Sequence, residues 1–192
     1  MRYFILNKPY GTLSQFTPEG NKPALGALFD FPKDCYPIGR LDADSEGLLI
    51  ICNDAALNKK LLDPKFGHKR TYYVQVDNDI TEEAIEKLRK GVDIKVEGRI
   101  YRTQPAIVEK IEEPQLPPRN PPVRFRKSIP TSWISLTLTE GKNRQVRHMT
   151  AAVGFPTLRL VRVKIEKLEI GPMLPGDVAE LSKGELYSKL FN

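Results

Sequence analysis

The run Gly39-Arg40-Leu41-Asp42-Ala43-Asp44-Ser45-Glu46, followed by Gly47-Leu48-Leu49-Ile50-Ile51-Cys52, constrains this chain more than any other stretch. Three carboxylates and an arginine crowd a short polar segment bounded by Gly39 and Gly47, and the chain then turns wholly apolar. A continuous apolar run of this length is that of a buried strand. The polar residues are therefore held at a strand mouth, where folds place chemistry. By spacing alone, the plainer reading is a solvated acidic turn.

The rest of the chain predicts short strands with few helices. Arg2–Leu6 has strand character, and Asn7-Lys8-Pro9-Tyr10-Gly11 is a turn by composition. Residues 12–37, punctuated by prolines and Gly20, read as loop with one short helix. Asn53 or Asp54 can cap a helix through Leu62, stopped at Asp63-Pro64. Thr71–Val76 reads as a strand. Thr81–Lys90 reads as a helix, with Thr81 as N-cap, acids in its first turn and Gly91 as its stop. Ile134, Leu136 and Leu138 have strand period. Val146, Met149 and Val153 form a helical stripe starting near Asn143 and ending at Gly154. Val161, Val163 and Ile165 alternate with Arg162, Lys164 and Glu166, a strand with a largely basic second face. This pattern predicts an α+β fold on a mostly antiparallel sheet.

At 192 residues, one domain or two small subdomains are expected. The formal charge of +6 favours an anionic partner. Cys35 and Cys52 do not make a disulfide framework, and with only His68 and His148 no metal-ligand cluster can be assembled. No apolar run approaches membrane length, so the expectation is a soluble, cytoplasmic protein.

Four segments carry a family resemblance. Gly39–Ile50 resembles the signature of the RNA pseudouridine synthases, in the RsuA branch. Arg70-Thr71-Tyr72-Tyr73-Val74 resembles that family's Lys-x-Tyr-aliphatic-Val strand, with Arg70 where Lys is usual. Glu140–Met149 resembles its Glu-Gly-x-x-x-Gln-aliphatic-basic segment, and Leu6–Gly11 its Asn-Lys-Pro-x-Gly opening. All four occur in the family's order and span nearly the whole chain.

The resemblance implies a pseudouridine synthase catalytic domain over residues 1–192: a bent, mixed, mostly antiparallel sheet in two subdomains around a central cleft, with flanking helices. It implies isomerisation of uridine to pseudouridine with no metal or cofactor. Asp42 would be the catalytic carboxylate, Tyr72 would lie against the uracil, and Arg147 would partner Asp42. Spacing alone leaves Tyr72 and Tyr73 open, since a one-residue slip exchanges their faces. The branch usually carries an S4-type RNA-binding domain ahead of the catalytic unit. Here the first motif stands at the start of the chain, so RNA capture is expected to rest on the catalytic domain.

RNA-binding candidates are Arg40, Lys69, Arg70, Arg124, Phe125, Arg126, Lys127, Arg144 and Gln145. Arg40 can fill the space of a flipped base and contact phosphate, or pair with Asp44 or Glu46. Basic residues around Lys59–Arg70, Arg119–Lys127 and Arg159–Lys164 suggest a shared groove. Residues 113–130 form a proline-stiffened loop in which Phe125, between arginines, suits base stacking. This loop, with Gly154–Leu160, resembles one member of the branch that acts on large-subunit (23S) ribosomal RNA. The expected partner is that RNA, free or within an assembly intermediate, and the expected state a monomer. A non-catalytic rRNA-binding assembly factor on the same fold is the alternative, with a nucleoside hydrolase further behind.

Overall fold

The computed structural model of the chain describes every residue except Phe125, Lys127 and Asn192. Its central sheet runs in the order β11 (Val178–Leu181), β1 (Tyr3–Lys8), β3 (Glu46–Cys52), β9 (Thr157–Ile165), β4 (Arg70–Asp77), β8 (Thr131–Leu138), β7 (Ile107–Ile111). The short strands β2 (Tyr36–Pro37) and β10 (Leu168–Glu169) add to β3 and β9. Strands β5 (Asp93–Val96) and β6 (Arg99–Arg102) form a separate hairpin. The helices are α1 (Ala55–Leu62), α2 (Glu82–Lys90), α3 (Gln145–Ala152) and α4 (Lys183–Phe191). None of the described helices is long and apolar enough to cross a membrane.

Burial explains the sequence patterns. Strand β3 is covered on both faces, which is why it reads as a continuous apolar run. Leu48 and Ile50 pack with Ile5, Leu57 and Leu186, while Leu49 and Ile51 pack with Phe4, Leu25 and Phe31. Strands β4 and β8 instead send Val74, Val76, Ile134 and Leu136 into one core with Ile85 and Leu88 of α2 and Met149 of α3. Their alternation survives because their other face is not so covered. Asp54 caps α1, accepting from the backbone N–H of Ala56 and Leu57, both at 3.1 Å. Thr81 caps α2, and Ile80 and Ile85 are both buried around that cap.

Three expectations change. In residues 12–37 the expected helix is a single 3-10 turn, Leu25–Ala27. Helix α3 begins at Gln145, because Arg144 takes a left-handed conformation (φ 50°) that closes the preceding loop. The basic face of β9 is only partly a surface: Lys164 is half-buried, but Arg159 and Arg162 are buried at 8% and 4% exposure. Between β4 and β9 the register shifts opposite Thr71 and Tyr72, which face Lys164 and Arg162 and leave Val163 as an extra residue. Such a bulge re-aims side chains, so Leu160, Arg162 and Ile165 all line one cleft.

The sheet contains one parallel junction, β3 with β9, made by Glu46 opposite Val161 and Gly47 opposite Arg162. The backbones approach so closely that a Cβ on Gly47 would lie 2.3 Å from the Arg162 carbonyl oxygen, and Gly47 sits at φ +111°. Beside it the buried Glu46 carboxylate accepts from Arg159 Nε at 2.9 Å and Nη2 at 2.8 Å. The same Nη2 donates to the Pro117 carbonyl at 2.8 Å, tying the proline-rich segment to the seam. Removing one member of such a pair strands a buried charge, at about 3–5 kcal/mol. Urea unfolding of Arg159→Ala should show a loss of that size, and the joint Glu46→Leu, Arg159→Met replacement a much smaller one.

Candidate active site

The acidic segment is a rigid turn. Ser45 N–H donates to the Asp42 carbonyl at 3.0 Å, closing a β-turn with Asp42 at its first position, where Asp is favoured. Neighbouring backbone clamps it on both sides. Ser14 Oγ donates to the Leu41 carbonyl at 2.7 Å and accepts from Leu41 N–H at 3.0 Å. Gly11 N–H donates to the Ala43 carbonyl at 2.7 Å. The opening Asn-Lys-Pro-Tyr-Gly loop is thus a support for the turn. Lys8 anchors that loop from inside, donating to the carbonyls of Pro9 at 3.0 Å and Thr12 at 2.7 Å.

The two carboxylates of the turn have different partners. Arg144 grips Asp44 with both ends of its fork, at 3.0 and 2.8 Å. Arg147 donates through Nη2 to the Asp44 carbonyl at 2.6 Å, with its Nε 3.5 Å from the carboxylate. Partial burial pushes the Asp44 carboxyl up, but the Arg144 hydrogen bonds and the Arg147 charge outweigh it and hold it below the usual range. Asp42, with its side chain 40% exposed, is approached by Arg144 Nη1 at 3.5 Å. The expected pairing of Arg147 with Asp42 is therefore corrected: Arg147 engages Asp44, and Arg144 is the cation that reaches both acids. The physical reason lies in the turn, which brings the Asp44 carbonyl and carboxylate up to α3.

Asp42 opens onto a cleft of about 750 Å³, lined by Arg40, Arg70, Tyr72, Tyr101, Arg144 and Arg162 among others. Tyr72 lines it and Tyr73 does not, which resolves the two adjacent tyrosines. Arg40 sits exposed at the rim and makes no ion pair among the described residues; Asp44 and Glu46 are taken by Arg144 and Arg159. Arg70 also lines the cleft, with its guanidinium tied to the carbonyls of Leu61 at 2.9 Å and His68 at 3.4 Å.

Gln145 borders the same cleft but is 3% exposed and spends its amide inside the loop, donating to Glu140 at 2.6 Å and accepting from Lys142 N–H at 2.9 Å. Other RNA candidates are placed elsewhere. Lys69 is exposed outside the cleft lining. Arg124 and Arg126 are exposed and outside it too; Arg126 pairs with Asp77 at 3.6 Å, at the far end of β4. Asp77 lies five residues beyond Tyr72, about 17 Å at roughly 3.3 Å per residue. Phe125 and Lys127 lie outside the described residues. Among the described residues, Arg40, Arg70, Arg144 and Arg162 share the cleft, while Lys69, Arg124 and Arg126 do not line it.

Two residues of the site carry no separate signal in the sequence: Lys8 stands out only as part of its motif, and Arg162 reads as one of a basic cluster on a strand face, since no local pattern reveals the bulge at Val163. Burial pushes the Lys8 ammonium down to about 8, against the pull of Glu46, Asp44 and Asp42. In the unfolded chain a lysine titrates near 10.4, so between those values the unfolded state holds more protons and native stability rises with pH. The difference in unfolding free energy between wild type and Lys8→Met should therefore climb from about pH 8 to about pH 10, by at most about 1.4 kcal/mol per unit. Urea titrations across that window measure it.

Comparison with known proteins agrees with this geometry. The family model for RNA pseudouridylate synthases matches residues 2–152. The chain is 50% identical over 180 residues to the ribosomal large subunit pseudouridine synthase E of Vibrio parahaemolyticus, covering 94% of this chain and 74% of that protein. It is 49% identical to the protein of the same name from Xanthomonas axonopodis, covering 89% of each. Among solved structures, a crystal structure of a pseudouridylate synthase superposes with a TM-score of 0.79 at 27% identity, over 98% of this chain and 73% of that one. With these matches, and with a cleft lined by three of the four sequence motifs and braced by the fourth, the chain belongs to the RNA pseudouridine synthase family.

Proposed function

We propose that this protein isomerises a uridine of large-subunit ribosomal RNA to pseudouridine, with Asp42 as the carboxylate that acts at C1′. The substrate rests on the relatives named for large-subunit modification. The choice of Asp42 rests on one contrast: Asp44 is locked between two arginines, while Asp42, on the same turn, keeps an exposed carboxylate at the cleft.

The reaction breaks the N1–C1′ bond, rotates the uracil and rejoins it through C5. A carboxylate can attack C1′ or stabilise the cationic sugar as the base leaves. When C5 bonds to C1′, the C5 proton departs and N1 takes one up, so the product is an isomer. In this reading Tyr72 packs against the base, Arg144 and Arg147 hold the turn through Asp44, and Arg40 at the rim meets phosphate or fills the space of the flipped nucleotide. The whole chain acts as one catalytic unit of two halves. It works as a monomer in the cytoplasm, on large-subunit RNA either free or within an assembling particle.

Release of tritium from C5-labelled uridine in large-subunit RNA tests this. Wild type should release it, and Asp42→Asn should fall to background while binding RNA as wild type does. Asp44→Asn should lose up to about 10²-fold in rate through displacement of the turn. Binding without release by the wild type, on both free RNA and immature particles, would support the assembly-factor alternative instead.

A further inference from the structure

Arg162 is a buried cation with no counter-ion. Its Nε donates to the Leu48 carbonyl at 2.8 Å, and its Nη2 is sealed from solvent with no partner. Among the described residues no carboxylate lies within ion-pair distance of it. Arg159, three residues earlier on the same strand, is equally buried but fully paired with Glu46. A desolvated, unpaired guanidinium costs several kcal/mol, yet arginine stays charged under such conditions. Such an arrangement persists where the surrounding structure enforces it. Here Gly47 packs against the Arg162 backbone and the bulge at Val163 turns the side chain towards the cleft.

The cleft side of Arg162 faces the chemistry. It lines the same cavity as Asp42 and Tyr72. At 4% exposure it lies beneath the opening, at a depth suited to a flat, extruded base and not to a charged phosphodiester. Uridine carries no charge to meet it. Charge appears only when the N1–C1′ bond breaks and its electron pair passes to N1, delocalising onto O2 and O4 of the uracil. Fixed donors without a ground-state partner, aimed where charge develops, are the arrangement that favours a transition state over a substrate.

We infer that Arg162 stabilises the uracil anion released from C1′, serving as the electrostatic counterpart of Asp42 on the leaving-group side of the bond. This rests on the proposed isomerisation. Asp42 meets the positive charge that develops on the sugar, Arg162 meets the negative charge on the base, and Tyr72 lies beside the latter. Holding the anion in the cleft also keeps it from diffusing away before C5 is presented to C1′.

The test uses large-subunit RNA transcribed with uridine or with 5-fluorouridine, whose fluorine stabilises the departing anion. Single-turnover loss of the original nucleoside, followed by mass spectrometry, is compared for wild type, Arg162→Met and Arg162→Lys, with RNA affinity and thermal unfolding measured alongside. Arg162→Met should bind RNA within about twofold of wild type and lose about 10²–10³-fold in rate on uridine. On 5-fluorouridine its deficit should be at least tenfold smaller. Arg162→Lys, which keeps the charge, should fall between and serves if the Met variant does not fold. An equal deficit on both RNAs would mean that Arg162 merely positions Tyr72, and weakened binding at an unchanged rate would mean a phosphate contact; either overturns the inference. Wild-type turnover of the uridine RNA separately tests the parent reading, since its absence would fail that reading before any variant is compared.

Discussion

The seam between β3 and β9 is the constraint on which the rest depends. It consists of one short parallel junction in an otherwise antiparallel sheet, made where Gly47 lies against the Arg162 backbone. Parallel neighbours need a long crossover, and here nearly the whole second half of the fold lies between them in sequence. The seam therefore joins two separately cored halves. Only glycine lets the strands approach this closely, and the same residue ends the acidic turn. Glu46 and Arg159 close the junction from the side and carry the proline-rich segment with them. One local packing requirement thus sets the turn, the floor of the cleft and the path of the loop.

The electrostatics follow from that geometry. Carboxylates and arginines crowded in one place would ordinarily neutralise one another in every available pairing. Backbone rigidity prevents this: the turn offers Asp44, carbonyl and carboxylate together, to α3, so Arg144 and Arg147 are both drawn to that side. Asp42 is left with a single longer approach, and Arg162 is screened from any acid by the strands that bury it. Lys8, inside the opening loop, bonds to carbonyls and feels the acids only at a distance. Charges held apart in this way are costly to the fold and available to a reaction.

Much of this was legible in the residues. The apolar run of β3, the caps at Asp54 and Thr81, and the alternation of β8 are local signals, because each depends on neighbours in sequence. The four motifs located the cleft for the same reason: each is a contiguous segment whose residue types survive translation into a turn, a strand or a helix start. What the local signals did not give were several side-chain partners. Arg147 was matched to the wrong acid, Gln145 turned inward, and the basic clusters around Arg159 and Arg126 belonged to a buried seam and to the far end of β4.

The sequence by itself determined the longer strands β1, β3, β4, β8 and β9, the helices α1, α2 and α3, the family and the polar turn at the mouth of a buried strand, since periodicity, capping and contiguous motifs are properties of short windows. Only the tertiary structure decided which carboxylate is free, which tyrosine faces the cleft and that Arg162 is a buried cation. Those outcomes depend on one unpaired residue in β9 and on a junction between segments more than a hundred residues apart, and no window of sequence contains either.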